Sequence, residues 1–310
     1  MMRMQSGVRR IIRDIESLKI QGARNVAKSA IEAMMLRVKE SKAGNPNTLC
    51  RELGQAGDAL AKSRPTEPMM RNAIEDARRF LASGAKKKAG VRELKKEFLS
   101  HETEALERME EDAERLAEYG AGLIPDGAVV LTHCHSSTVT HILRKAKSMR
   151  RRFSVIACET RPRYQGRLTA TELAKAGIDV TLVVDGAANM FMKKADMCLV
   201  GADSITSKGD LINKVGTGAV AHLAKIHDVS FFSAAELSKF SPFTIYGVRE
   251  KIEERDPKEV WDKAPRGVKV RNPAFDVTAS SYISGYITEA GVIPPQSFFG
   301  VATQKLGIKI

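Results

Sequence analysis

The sequence predicts an α/β protein, with an N-terminal all-helical domain followed by a Rossmann-like parallel sheet flanked by helices. Three observations predict this. Apolar residues recur at helical spacing up to about residue 119. Beyond it, short β-rich runs alternate with helical stretches, as βαβ units require. A chain of 310 residues also exceeds what one core comfortably serves, so two domains are expected, 1–122 and 123–310.

In order along the chain, Ile11, Ile15 and Leu18 mark a first helix, and Ala27, Ile31, Met34 and Val38 a second. "AGNPNT" (43–48) and "SRPTEP" (63–68) break the pattern with turn residues, leaving Thr66 or Glu67 to open the next helix. Residues 91–119 read as one long amphipathic helix with closely spaced opposite charges, ended by "GAGLIPDG" (120–127). Strands follow at "AVVLTHC" (128–134), "FSVIACE" (153–159), "DVTLVVD" (179–185), "MCLVGAD" (197–203) and "VSFFSAA" (229–235). The intervening helices include 168–177 and 216–228.

Composition bounds the function. Hydrophobic content of 43% and charged content of 28% are ordinary for a soluble globular protein. No apolar stretch approaches the roughly 18 residues of a membrane span, and the basic start lacks the apolar run of a secretion signal. A cytoplasmic enzyme is expected. Four cysteines without a C-x-x-C pair argue against a disulfide scaffold or zinc ribbon, and Cys158 and Cys198 read as core thiols. The net charge of +13 is spread along the chain: residues 1–120 hold 24 basic and 19 acidic residues. Its one dense run is "RKAKSMRRR" (144–152). With aromatics at 5% and no stacking pattern, a nucleic-acid partner is not expected, and anionic small substrates suit the charge equally well.

"VVLTHCHSST" (129–138) ends a strand on a cysteine between two histidines. A zinc site, a nucleophile, a proton-transfer thiol and a plain buried cysteine all fit that pattern. Zinc is disfavoured because residues flanking Cys134 in a strand face away from it. In parallel sheets ligands bind beyond the carboxyl ends of strands. Those ends carry Cys134 with His135, Ser136, Ser137 and Thr138, then Glu159-Thr160-Arg161, Asp185-Gly186, and Gly201-Ala202-Asp203. Asn213-Lys214 and the glycines of "NKVGTG" follow. A helix start after Cys134 would suit a phosphate and would lower a thiol pKa. Each feature also has an ordinary reading. A strand-end cysteine is commonly core, Asp203 could cap a helix, and the glycines could only serve packing.

"LTHCHSSTVTHIL", "ETRPRYQGRLTATELAKAGIDVTLVVDGA", "VGADSITSKGDLINKVGTGAVAHLAK" and "NPAFDVTASSYISGYITEAGVIPP" together resemble the superfamily of translation initiation factor 2B regulatory subunits and sugar-phosphate aldose–ketose isomerases. The resemblance spans nearly the whole chain and implies the same two-domain fold. In the isomerases a cysteine stands at the position of Cys134 and an aspartate at that of Asp203; the regulatory subunits typically lack the pair. Among isomerases the chain is most similar to the archaeal ribose-1,5-bisphosphate isomerase branch, which turns a product of AMP breakdown into ribulose 1,5-bisphosphate. The alternatives are a methylthioribose-1-phosphate isomerase and a non-catalytic regulatory subunit that binds initiation factor 2.

By motif, the resemblance implies substrate binding by Gln21, Gly22, Ala23 and Arg24, by Arg64, by Ser136, Ser137 and Thr138, by Asn213 and Lys214, and by Lys239. Gln21 departs from the family, which often has arginine there, and Arg24 is expected to supply that charge. No cofactor or metal is implied, and the assembly expected is a homo-oligomer built from dimers, a hexamer among the forms it could take. An aldose 1-phosphate needs its ring oxygen protonated and its C2 proton moved to C1. Asp203 is read as the acid, with a carboxyl pKa raised in an apolar pocket, and Cys134 as the base, with a lowered thiol pKa. The reverse assignment stays open.

Overall fold

A computed structural model describes residues 6–87 and 90–308; residues 1–5, the beginning of the stretch read as lacking a secretion signal, lie outside them. The chain divides into two compact units, Met1–Glu111 and Asp112–Ile310, the division falling within one helix.

The first unit is helical: α1 (Ser6–Glu16), α2 (Ala23–Glu40), α3 (Pro46–Ser63), α4 (Pro68–Lys86) and the first two-thirds of α5 (Val91–Gly122). The expected turn residues delimit α2, α3 and α4. Asn45 caps α3 by accepting from the Thr48 N–H at 2.9 Å, with Pro46 in the first turn, and Glu67 precedes Pro68 at the start of α4. The apolar stripes meet in one core that includes Ile15, Ala27, Met34, Leu53, Leu60, Met70, Leu81 and Phe98. One ion pair, Arg37–Glu52 at 2.9 Å, is buried in this unit.

The second unit holds β1 (Ala128–His133), α6 (Ser137–Ser148), β2 (Phe153–Cys158), α7 (Gln165–Lys175), β3 (Asp179–Val183), α8 (Ala188–Met192), β4 (Met197–Val200), β5 (Ser204–Ile205), β6 (Leu211–Lys214), α9 (Thr217–Ile226), β7 (Ser230–Ala234), β8 (Phe275–Thr278), β9 (Gly285–Thr288), β10 (Gly291–Ile293) and α10 (Pro295–Lys305). Seven strands form one sheet in the order β10-β9-β7-β4-β1-β2-β3, parallel except for β10, which runs antiparallel to β9. The five expected strands are β1, β2, β3, β4 and β7. Adjacent residues feed opposite faces, so Val130, Val155 and Leu199 join one core with Ile142 and Leu143 of α6. Leu131, Ile156 and Cys198 join the other, with Ala221 of α9.

Two features went unpredicted. β9 and β10 extend the sheet, and β5, β6 and β8 form a separate three-stranded antiparallel sheet. β5 is two residues long and β6 four, too short to show a period of their own. Pairing alone makes these strands. Asp203, weighed as a helix cap, instead leads into β5, its N–H donating to the Ile212 carbonyl at 3.0 Å. The run 144–152 spans the end of α6 and the following turn. Arg144 and Lys147 are exposed, while Lys145 pairs with Glu114 and Glu118, and Arg152 with Asp126. It is a solvated, partly neutralised face. Among the described residues, no helix is long and apolar enough to cross a membrane.

Candidate active site at the strand ends

The sheet reverses its strand order between β1 and β4: β2 and β3 continue to one side of β1, β7 and β9 to the other side of β4. Helices on either side of such a reversal leave a crevice beyond the carboxyl ends of the two strands. Cys134 follows β1 and Asp203 follows β4 by three residues. The two ends stay close because Gly201 has no side chain; a Cβ there would stand 2.6 Å from Ser136 Oγ. Ser136 caps α6, its hydroxyl accepting from the Val139 N–H, as the sequence predicts for a helix opening at 136–138.

Cys134 has a left-handed backbone, φ 70°, which a non-glycine residue adopts at a cost. Both its backbone polar groups are held. Its N–H donates to Thr160 Oγ1 at 2.9 Å, and its carbonyl accepts from Thr169 Oγ1 at 2.9 Å. Cys134 stays partly exposed, yet the protein packed around its sulfur pushes the thiol pKa up to about 11. Lys214 pulls in the other direction, and the Asp203 and Asp185 carboxylates add to the rise. The expected lowered thiol pKa is therefore corrected. Desolvation outweighs both the single ammonium and any helix field, because α6 begins three residues further on and Ser136 already engages its first turn.

Lys214, at the end of β6, is buried and lies 5.3 Å from the Phe275 ring centroid. Its neighbour Asn213, also buried, donates through Nδ2 to Thr217 Oγ1 at 3.0 Å, and that hydroxyl donates to the Lys214 carbonyl at 2.7 Å. The loop glycines of "NKVGTG" do not present a free helix terminus. Asp276 of β8 accepts from the Gly216 N–H at 2.7 Å and the Gly218 N–H at 3.1 Å, so a carboxylate of the chain already occupies the start of α9. Gly216 has φ 102°, and a Cβ there would lie 2.9 Å from His133 Nε2. His133 is buried, its pKa lowered to about 4 by desolvation, so its ring is neutral at physiological pH. Lys239, in the turn after β7, is buried with Glu236 at 3.2 Å.

These residues, Cys134, Ser136, Ser137, Thr138, Asp203, Asn213, Lys214 and Lys239, belong to the second unit. Gln21, Gly22, Ala23, Arg24 and Arg64 belong to the first. Gly22, φ 83°, turns the chain into α2. Gln21 is exposed and donates to the Leu18 carbonyl, and Ala23 is buried. Arg24 donates to the Met109 carbonyl and to Glu110 Oε2, the latter at 3.0 Å. Arg64 pairs with Glu67 at 3.0 Å. The sequence places Thr160 and Asp185 at the strand-end rim without giving either a role, and does not point to Thr169 or Asp276. Asp185 was visible as a strand-end acid, but its partners come from tertiary contacts.

A helical unit preceding a mostly parallel α/β unit is the architecture of the initiation-factor-2B-like proteins, and here a thiol and a carboxylate flank the strand-order reversal. The sequence model of the Initiation factor 2 subunit family matches residues 19–295, and the chain belongs to that family. The chain is 41% identical over 298 residues to the ribose 1,5-bisphosphate isomerase of Archaeoglobus fulgidus, covering 94% of this chain and 91% of that protein. It is 40% identical over 298 residues to the methylthioribose-1-phosphate isomerase of Geobacter metallireducens, covering 90% and 85%. Its fold matches the crystal structure of the Pyrococcus horikoshii translation initiation factor eIF-2B, with a TM-score of 0.79 and 33% identity, covering 94% and 98%.

Proposed function

We propose that the chain is an aldose–ketose isomerase that converts ribose 1,5-bisphosphate into ribulose 1,5-bisphosphate by acid–base proton transfer. The observation that carries this reading is the thiol and the carboxylate just beyond the two strands that flank the reversal of strand order, with buried Lys214 near the thiol. A protonated thiol reverses the roles first assigned. Cys134 gives its proton to the ring oxygen as the C1–ring-oxygen bond breaks. Asp203 removes the C2 proton and delivers it to C1, and the C2 hydroxyl proton returns to the thiolate as the ketone forms. Atoms balance and the resting thiol is restored. Anion recognition in the second unit falls to Lys214, Lys239, Asn213 and the Ser136–Thr138 turn. Arg24 and Arg64 already sit against carboxylates, so a phosphate would compete with Glu110 and Glu67 for them.

Incubating the purified protein with ribose 1,5-bisphosphate tests this, with formation of the ketose expected; none would overturn it. Comparable identity to a methylthioribose-1-phosphate isomerase motivates a parallel assay with that substrate. Turnover there alone would move the assignment to a neutral C5 substituent. A binding role of the translation-factor type predicts a stable complex with initiation factor 2, and a pull-down lacking it removes that reading. The proposal includes a cytoplasmic homo-oligomer built from dimers, with a hexamer as one form, and light scattering that returns a monomer would remove the assembly.

A further inference from the structure

Cys134 is held in place by residues whose side chains are engaged with the backbone. The Asp185 carboxylate accepts from two successive backbone N–H groups, Thr160 at 2.8 Å and Arg161 at 2.7 Å. Successive amides converging on one anion form a concavity whose conformation the anion stabilises. Thr160 there has φ 63°, a left-handed value rare for a β-branched residue. In that conformation its hydroxyl donates to the Cys158 carbonyl at 3.1 Å and accepts the Cys134 N–H at 2.9 Å. Thr160 is fully buried. Two strained residues from adjacent strand ends thus hold each other, and one carboxylate anchors the pair.

We propose that Thr160 and Asp185 are positioning residues for the proton-transfer thiol. Asp185 locks Thr160 in its left-handed conformation, and the Thr160 hydroxyl fixes the Cys134 backbone that carries the sulfur. The inference rests on the isomerase reading for its catalytic consequence, but the bracket itself is read from the thiol. The charged groups near that sulfur are Lys214 from the end of β6, Asp203 after β4 and Asp185 after β3. Asp185 therefore acts twice, through the two amides and through its charge, which favours the protonated thiol.

The full-length protein and its Thr160→Val, Thr160→Ser and Asp185→Asn variants are compared in two measurements. One is the pH dependence of Cys134 alkylation by iodoacetamide without sugar, read by mass spectrometry of its peptide. The other is steady-state kinetics with ribose 1,5-bisphosphate. Thr160→Val is expected to lower kcat about 10-fold with KM within about 2-fold, and Thr160→Ser to restore most of it. Asp185→Asn is expected to lower the alkylation midpoint by about one pH unit. An unchanged midpoint in Asp185→Asn overturns the proposal, as does a Thr160→Ser variant as slow as Thr160→Val. Asp185→Asn, nearly isosteric, carries the test through alkylation even where Thr160→Val does not fold. A wild-type protein inactive on the sugar while the midpoint shifts as expected would remove the substrate and keep the bracket.

Discussion

At the scale of single residues, the proposed chemistry depends on a sulfur whose pKa is pushed up, and the fold on atoms that must be absent. If Cys134 and Asp203 exchange protons with the substrate, Cys134→Ser and Asp203→Asn should each lower kcat by ~10²-fold or more. Steady-state kinetics check this, and either variant retaining near wild-type turnover removes the role assigned to it. Gly166 shows the other kind of dependence. A Cβ there would stand 1.8 Å from the Cys158 carbonyl oxygen and 2.9 Å from the Glu159 Cα, both backbone atoms that cannot rotate away. Gly166→Ala should therefore cost at least ~3 kcal/mol, since the start of α7 must separate from the end of β2. Chemical denaturation measures it, and a loss under about 1 kcal/mol would show that the loop relaxes easily.

At the scale of elements, the starts of helices decide what the crevice offers. α6 is capped by its own Ser136, whereas α9 is capped by Asp276 from β8, 58 residues further along the chain from Gly218. Burial raises the Asp276 pKa, against the pull of the Gly216 and Gly218 N–H groups. Asp276→Ala leaves those two amides without their acceptor, and charge-assisted bonds of this kind contribute about 2 kcal/mol. A fall in Tm of ~5 °C is expected by scanning calorimetry. KM for the sugar phosphate should rise as well, because Asn213 and Lys214 lead directly into the capped turn. A variant with wild-type Tm would mean that water replaces the carboxylate at no cost.

At the scale of the whole molecule, buried ionisable groups set how the fold responds to pH. His133 has its pKa lowered from 6.5 to about 4 by desolvation. The unfolded chain binds a proton on this ring below pH 6.5, and the folded chain does so only near 4. Stability is therefore intact above 6.5 and is lost as pH falls towards 4, by ~3 kcal/mol from this ring. Urea denaturation between pH 7.5 and 4 is expected to show that slope in the wild type and a shallower one in His133→Gln; parallel curves would rule the ring out as the cause. His101 works in the opposite direction. Its bond to Glu102 at 3.1 Å raises its pKa, so its contribution is present at low pH and lost as pH rises through the raised value.

The order of α1 to α7, of α9 and of the five main strands was legible because the pattern carries period and turn residues there, whereas α8 and α10 were not read. Strand ends bearing Cys134, Asp185 and Asp203 were legible for the same reason, since alternating elements bring carboxyl ends to one rim. The sheet of β5, β6 and β8 was not, because two- and four-residue strands have no period and exist only when paired. Nor was the sign of the Cys134 pKa shift. Local sequence shows a helix start and nearby basic residues, which predict a lowered value, whereas desolvation depends on how much protein surrounds the sulfur. The chain's own pattern thus determined which elements form and which side chains stand at their ends. Only the tertiary structure decided that Asp185 binds the Thr160 amide, that Thr160 binds the Cys134 amide and that Asp276 fills the start of α9. Those contacts join residues 24 to 60 positions apart in the chain, and a solvent-excluded charge balance exists only once the strands are assembled.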